Sequence, residues 1–235
     1  LLRLPRAKEA FMAFGTAVHS SLEKFYREYL QSKKMPDEQF LLKQFELSLA
    51  DELLTEDEFE ARLEYGRKIL LNYHQHYADS NPNVIEVERV VGYGWSKAVL
   101  GDNIQLTGKI DRLDWIDQEK KLVRVVDYKT GKPKSNNFII GQIKSANLSE
   151  REQTLPDTIK GRYQRQLVFY KLLCQLDRTF NATVTHGMFD FVEPANKKTN
   201  KLVTREFEIS DEAVEDLKQL IKQVMKEIRD LEFLK

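Results

Sequence analysis

The feature that most constrains this chain is a change of hydrophobic period near residue 80. Upstream, apolar residues recur at helical spacing. Val18, Leu22, Phe25 and Tyr29 mark a helix over about residues 5–30, from Pro5 to Leu30, and a second helical stretch covers Glu56–Tyr77. Between them Met35-Pro36-Asp37 breaks the pattern, and Pro36 followed by Asp37 and Glu38 suits the first turn of another helix. Beyond Asn81-Pro82-Asn83 the period falls to two. Val84–Val91 reads as a strand, Gly101-Asp102-Asn103 as a turn, and residues 104–116 and Leu122–Lys129 as two strands joined by the polar turn Asp117-Gln118-Glu119-Lys120-Lys121. A loop over 130–156 leads to a helix over 160–176, then to a hairpin of 182–192 and 201–209 around Pro194-Ala195-Asn196. Ser210 caps a last helix with an apolar stripe of Val214, Leu217, Ile221, Val224, Ile228 and Leu231. Helices, sheet, helix, sheet and helix in that order predict an α/β (α+β) domain with a central, mostly antiparallel sheet. The 235 residues suit one large domain or two small ones, and the expectation is a single domain with a helical part over 1–80, a core over 83–209 and a terminal helix over 210–233.

Composition narrows the class. The chain carries 37 Lys+Arg against 37 Asp+Glu, so its formal net charge is zero. That balance argues against a globally basic nucleic-acid-binding surface and leaves a local patch open. The charges alternate with apolar positions, which argues against disorder. Cys174 is the single cysteine, which excludes an intrachain disulfide, a four-cysteine zinc site and a cysteine-held iron–sulfur cluster. No apolar run approaches the ~20 residues that span a bilayer. No secretory signal is visible and the chain opens Leu1-Leu2-Arg3, so the expectation is a soluble intracellular domain cut from a longer protein.

The hairpin around Glu119 places two acids together. With Glu119 at its centre, Leu113 faces Val125, Trp115 faces Val123, Asp111 faces Asp127 and Lys109 faces Lys129. Opposed residues share a face, with Cβ atoms roughly 4.5–5.5 Å apart. Two like charges at the end of an apolar face raise each other's pKa unless a cation intervenes, and a divalent cation takes oxygen ligands at such a separation. Lys129 lies two residues beyond Asp127 on the same face. Acid, acid and lysine at a hairpin end suit phosphodiester hydrolysis, in which a metal polarises the phosphate and the lysine steadies the nucleophile or developing charge. The alternatives are a one-residue slip, which would put the acids on opposite faces, and strand-end aspartates that merely face water.

These segments, Gly108-Lys109-Ile110-Asp111-Arg112 and Val126-Asp127-Tyr128-Lys129-Thr130-Gly131, resemble the core of the PD-(D/E)xK nuclease superfamily, in its RecB-like branch. Phe14-Gly15-Thr16-Ala17-Val18-His19, continuing to Leu22-Glu23, resembles that branch's helix with a metal-binding histidine. Gln166-Leu167-Val168-Phe169-Tyr170 resembles its Gln-x-x-x-Tyr motif. The four motifs occur in the family's order over residues 14–170. The resemblance implies a restriction-endonuclease-like core, with a mixed sheet flanked by helices. It also implies that His19, Asp111, Asp127 and the Tyr128 carbonyl hold Mg²⁺ or Mn²⁺ and that Lys129 is the catalytic lysine. Gln166 and Tyr170 would organise the site or touch the nucleic-acid strand; spaced i and i+4, they share one helix face. Glu23 would either support His19 or form a salt bridge near the N-terminus.

The implied activity is that of a metal-dependent DNA nuclease, an exonuclease on single strands or duplex ends. The implied setting is recombination or double-strand-break repair beside a helicase, in the cytoplasm on the nucleoid, with no membrane partner. The lone cysteine departs from the iron–sulfur version of the branch, and the chain has no Gly-x-x-x-x-Gly-Lys-Ser/Thr motif for ATP hydrolysis. An inactive DNA-binding or scaffold module of the same fold is the competing expectation. It would be marked by loss of an acid or the lysine, and Asp111, Asp127 and Lys129 are all present.

Other polar residues carry weaker expectations. His74 and His76, at i and i+2 on a helix, point apart and cannot grip one ion. Glu86 and Glu88 alternate with valines on the strand entering the core, and Glu88 is a reserve ligand. Lys132, with Lys134 and Lys144, is either a phosphate contact beside the site or part of a solvated loop. Cys174 in Leu172-Leu173-Cys174 suits a small buried apolar role.

Overall fold

Side chains placed just ahead of the apolar runs set the helix starts. The computed structural model describes residues 9–101, 103–144, 147–196 and 198–231. Helix α1 spans Ala10–Ser32 and ends at Lys33, whose backbone turns left-handed; the expected start at Pro5 lies outside the described residues. Helix α2 (Glu38–Ala50) is capped by Asp37, whose carboxylate accepts from the Phe40 N–H at 2.8 Å. Pro36 therefore precedes the cap and is not part of the first turn. Helix α3 (Glu56–Tyr77) opens on a capping box, with Thr55 and Glu58 each accepting from the other's backbone N–H.

Apart from Ala98–Leu100, where the sequence reading places no strand, the strands follow the expected positions with two departures. They are β1 (Val84–Val91), β2 (Ala98–Leu100), β3 (Ile104–Leu106), β4 (Gly108–Asp117), β5 (Leu122–Lys129), β6 (Thr183–Asn196) and β7 (Lys201–Glu208). The stretch expected as one strand over 104–116 is broken at Thr107. Its first part pairs antiparallel with β2 as a separate two-stranded sheet. The break falls where Gly92, at φ +95°, passes so close to the Leu106 carbonyl and Thr107 that a Cβ there would collide with both. Of the expected turn Gly101-Asp102-Asn103, Asp102 lies outside the described residues. The second departure is at Pro194, expected in a turn. Strand β6 instead continues to Asn196, whose side-chain oxygen accepts from Lys198 N and whose carbonyl accepts from Thr199 N. Proline, lacking an N–H, is tolerated near a strand end.

The main sheet has the order β1-β4-β5-β6-β7 and is mostly antiparallel, flanked by helices. The segment between β5 and β6, expected as a loop over 130–156, holds two short helices, α4 (Asn136–Ile139) and α5 (Glu150–Gln153), capped by Ser135 and Ser149. Helix α6 (Arg162–Leu176) follows, and α7 (Asp211–Arg229) starts at Ser210, which accepts from Ala213 N. Residues 232 and 233 of the expected last helix lie outside the described residues. Among the described residues no helix is long and apolar enough to cross a membrane.

The chain divides into two compact units. The first comprises Leu1–Val87, Tyr128–Pro133 and Phe189–Thr204. Its core joins Phe14, Val18, Leu22, Phe25 and Tyr26 of α1 to Leu41 and Phe45 of α2 and Leu70 and Tyr73 of α3. Tyr26 takes the core position expected of Tyr29, which is half-buried and donates instead to the Pro82 carbonyl. The second comprises Glu88–Asp127, Lys134–Met188 and Arg205–Lys235. There α6 packs against β4 so tightly that a Cβ on Gly108 would lie 2.5 Å from Leu173 Cδ1, and Lys171 is buried on the Ile209 carbonyl and the Asp211 carboxylate. Val214 and Leu217 of α7 are buried, but Ile228 and Leu231 at the far end of its stripe are exposed.

Candidate active site

In the second unit, β4 and β5 pair antiparallel in the expected register: Arg112 opposes Val126, Leu113 opposes Val125, Asp114 opposes Arg124 and Trp115 opposes Val123. A bulge between Trp115 and Asp117 shifts the turn end by one residue, so Asp117 opposes Leu122. The paired positions end at Arg112 and Val126, and Asp111 and Asp127 are the next residues beyond them on β4 and β5. Both are buried, at 5% and 2% exposure. The alternative of strand-end acids facing water is thereby removed.

Helix α6 supplies donors to one of these acids. Gln166 Nε2 donates to Asp127 Oδ1 at 2.7 Å, and the Tyr170 hydroxyl donates to the same oxygen at 2.8 Å. Gln166 Nε2 also lies 2.8 Å from the Tyr170 hydroxyl, so the i, i+4 pair acts as one clamp. Burial, then the charges of Asp127 and Asp111, push the Tyr170 phenol far above its ordinary pKa. One hydroxyl thus senses both carboxylates.

Alternate residues of the same hairpin build an ionic cluster on the other face. Arg112 Nε meets Asp114 Oδ1 at 2.9 Å with both side chains buried, and Arg124 bridges Asp114 and Glu206. The two faces are therefore chemically distinct. Acid–arginine pairing neutralises one, and the other concentrates negative charge at Asp111 and Asp127. Glu88, on β1 with φ +54°, forms an ion pair with Lys109 of β4, whose side chain lies on the Asp111 face of its strand.

Two buried carboxylates offer hard oxygen donors, the chemistry that Mg²⁺ or Mn²⁺ takes. Mg²⁺ commonly binds through one or two carboxylates and completes its shell with water and substrate phosphate. Among the described residues no group of three or more His, Cys, Asp or Glu side chains is clustered to hold a metal ion.

The first unit holds His19, Glu23, Tyr128, Lys129 and Lys132. His19 on α1 packs edge-on against Tyr128 at 5.8 Å between ring centroids, and Tyr26 stacks on the same tyrosine at 6.3 Å. Lys129 Nζ lies 5.1 Å from the centre of the Phe189 ring. Glu23 pairs with Arg27 at 2.6 Å, the salt-bridge alternative. Lys132 is exposed. His74 contacts the Pro36 carbonyl and the Phe25 ring, and His76 packs on Tyr77. Cys174, in the second unit, is buried.

Sequence reasoning missed a polar network behind Tyr128. Asp190 on β6 is fully buried and accepts from the Tyr73 hydroxyl at 2.8 Å and the Tyr77 hydroxyl at 3.0 Å; Tyr73 in turn meets the Tyr26 hydroxyl at 3.0 Å. Burial, then the Asp190 charge, raises the Tyr73 phenol well above its ordinary pKa. The network ties α1, α3 and β6 together around the ring that precedes Lys129. Its signals were a lone acid in the apolar run Met188-Phe189-Asp190-Phe191-Val192 and the i, i+4 pair Tyr73 and Tyr77.

The family model for the PD-(D/E)XK nuclease superfamily matches residues 1–235. A search of curated proteins finds no match. Among solved structures, the crystal structure of LHK-Exo in complex with dAMP is similar at 11% sequence identity over 95% of this chain and 96% of that one, with a TM-score of 0.31.

Proposed function

The chain belongs to the PD-(D/E)XK nuclease superfamily, and from that premise we propose that it is a divalent-metal-dependent deoxyribonuclease. It hydrolyses phosphodiester bonds as an exonuclease on single strands or duplex ends, in the RecB-like manner. It works in recombination or double-strand-break repair beside a helicase that supplies much of the grip on DNA. The observation that carries this reading is the buried Asp111 and Asp127 pair, with Asp127 Oδ1 clamped by Gln166 and Tyr170.

In this reading Asp111 and Asp127 hold Mg²⁺ or Mn²⁺, with His19 and the Tyr128 carbonyl as further ligands. The ion, when bound, offsets the paired negative charge and supplies Lewis-acid polarisation of the scissile phosphate. Gln166 and Tyr170 fix the Asp127 carboxylate so that it does not reorient during reaction. Lys129 donates toward the attacking oxygen and the charge that develops on the phosphate. Lys132 contacts a neighbouring phosphate, while Glu88 holds a supporting place at the margin.

Incubating the protein with single-stranded and blunt duplex DNA, labelled at either end, tests the reading. Progressive release of short products from one end supports an exonuclease. DNA bound but left whole under every metal would favour the inactive binding module.

A further inference from the structure

The connection between β1 and β2 carries a tryptophan that the fold leaves almost wholly in water. Trp95 is 95% exposed, and Tyr93 on the same tip is 63% exposed. Large aromatic rings are usually buried for most of their surface, so a fully presented one calls for a partner.

The tip is built to hold its shape. Gly92 N donates to the Ser96 carbonyl at 2.6 Å, Ser96 N to Tyr93 O and Lys97 N to Trp95 O, each at 3.1 Å. Its base is anchored inside the second unit. The Ser96 hydroxyl donates to Asp177 Oδ2 at 2.7 Å, and Arg89 reaches the same oxygen at 2.6 Å. Trp95 also lines a cleft of about 620 Å³ whose charged lining residues are Lys97 and Arg178. Both are exposed, both are cationic, and among the described residues neither forms an ion pair.

We propose that Trp95 is a stacking platform for an unpaired base, with Lys97 and Arg178 contacting the phosphates of the same single-stranded segment. The proposal rests on the nuclease reading and adds to it a strand-holding subsite away from the acid pair. The chemistry is complementary on both counts. Every base offers a π-face to an aromatic ring, and exposed cations beside it match a polyanionic backbone. A protein partner would instead call for a broad contiguous apolar patch, whereas the cleft sets Lys97, Arg178 and Gln175 beside Val99 and Leu176.

The test uses the full chain with Trp115→Phe, which leaves Trp95 as the one remaining tryptophan of the two. Titration with a short oligothymidylate in EDTA should quench Trp95 fluorescence saturably. Trp95→Ala should weaken binding about tenfold and Trp95→Phe much less. Lys97→Ala combined with Arg178→Ala should flatten the salt dependence by roughly one unit of slope. No quenching, together with unchanged affinity in Trp95→Ala, would overturn the proposal and leave the ring to a protein partner. Metal-dependent hydrolysis measured in parallel separates the two claims. Hydrolysis without quenching defeats the platform alone, and quenching without hydrolysis defeats the nuclease reading alone.

Discussion

The Tyr170 hydroxyl donates to Asp127 Oδ1 at 2.8 Å, joining residues 43 positions apart in the chain. Helix α6 thereby orients an acid of β5, and the clamp is completed by Gln166 one helical turn earlier. Groups that orient a metal ligand typically matter by about 10–100-fold in metal affinity or activity. Tyr170→Phe is therefore expected to lower the hydrolysis rate by about tenfold and to raise the metal concentration needed, while thermal unfolding changes little. An unchanged metal requirement in a folded Tyr170→Phe protein would show that the clamp has no bearing on the ion.

Asp127→Asn keeps the shape and an acceptor for Gln166 and Tyr170 but removes the charge. Hydrolysis should be lost by a factor of at least ~10³, comparable to removal of a principal electrostatic group. In EDTA the variant should unfold at the same or a higher temperature, because repulsion with Asp111 is relieved. Clear destabilisation without metal, seen by calorimetry, would contradict the paired arrangement.

Lys129→Met should abolish turnover and leave metal binding intact, since the lysine is assigned to the reacting oxygens and not to the ion. The readout is a split between single-turnover hydrolysis and Mn²⁺ titration by calorimetry. Loss of metal binding together with turnover would assign Lys129 a structural part.

The Asp190 network predicts a stability effect with no chemical role of its own. Tyr73→Phe removes a hydrogen bond to a buried carboxylate, a contact worth about 1.5–3 kcal/mol. Urea unfolding should show a loss of that size, and a change below ~0.5 kcal/mol would mean that the network contributes little.

Asp177 gives a pH dependence. Burial pushes its carboxyl up, but hydrogen bonds from Ser96, Thr179 and Arg89 outweigh burial and hold it below the ordinary value. A depressed folded pKa contributes stability that is fully present above the unfolded value of about 3.9 and is lost as pH falls through the folded one. Asp177→Asn should therefore destabilise the wild-type fold at neutral pH and narrow the gap between the two proteins as pH drops below about 4. A gap independent of pH would refute the assignment.

Much of this was legible in the sequence because it depends on period and short-range geometry. The β4–β5 register follows from the symmetry of one polar turn, and the cap at Ser210 follows from a side chain beside its own helix. What escaped depends on contacts between distant segments. The break at Thr107 needs Gly92, and the core place of Tyr26 needs Tyr73 and Tyr128. Helices α4 and α5 are shorter than two turns and leave no periodic trace, although Ser149 and Glu152 carry a capping pattern. In the site, the spacing of Gln166 and Tyr170 pointed to a shared face, but their common target, one oxygen of Asp127, depends on how α6 packs on β4.

The central claim is that the Asp111 and Asp127 pair works by binding a divalent cation to hydrolyse DNA. A titration of Mg²⁺ and of Mn²⁺ into the protein with end-labelled single-stranded DNA tests it most directly. The expected result is no cleavage in EDTA and saturable cleavage as either metal is added, abolished in Asp127→Asn. Cleavage undiminished in EDTA, or absent at every concentration of both metals, would contradict it.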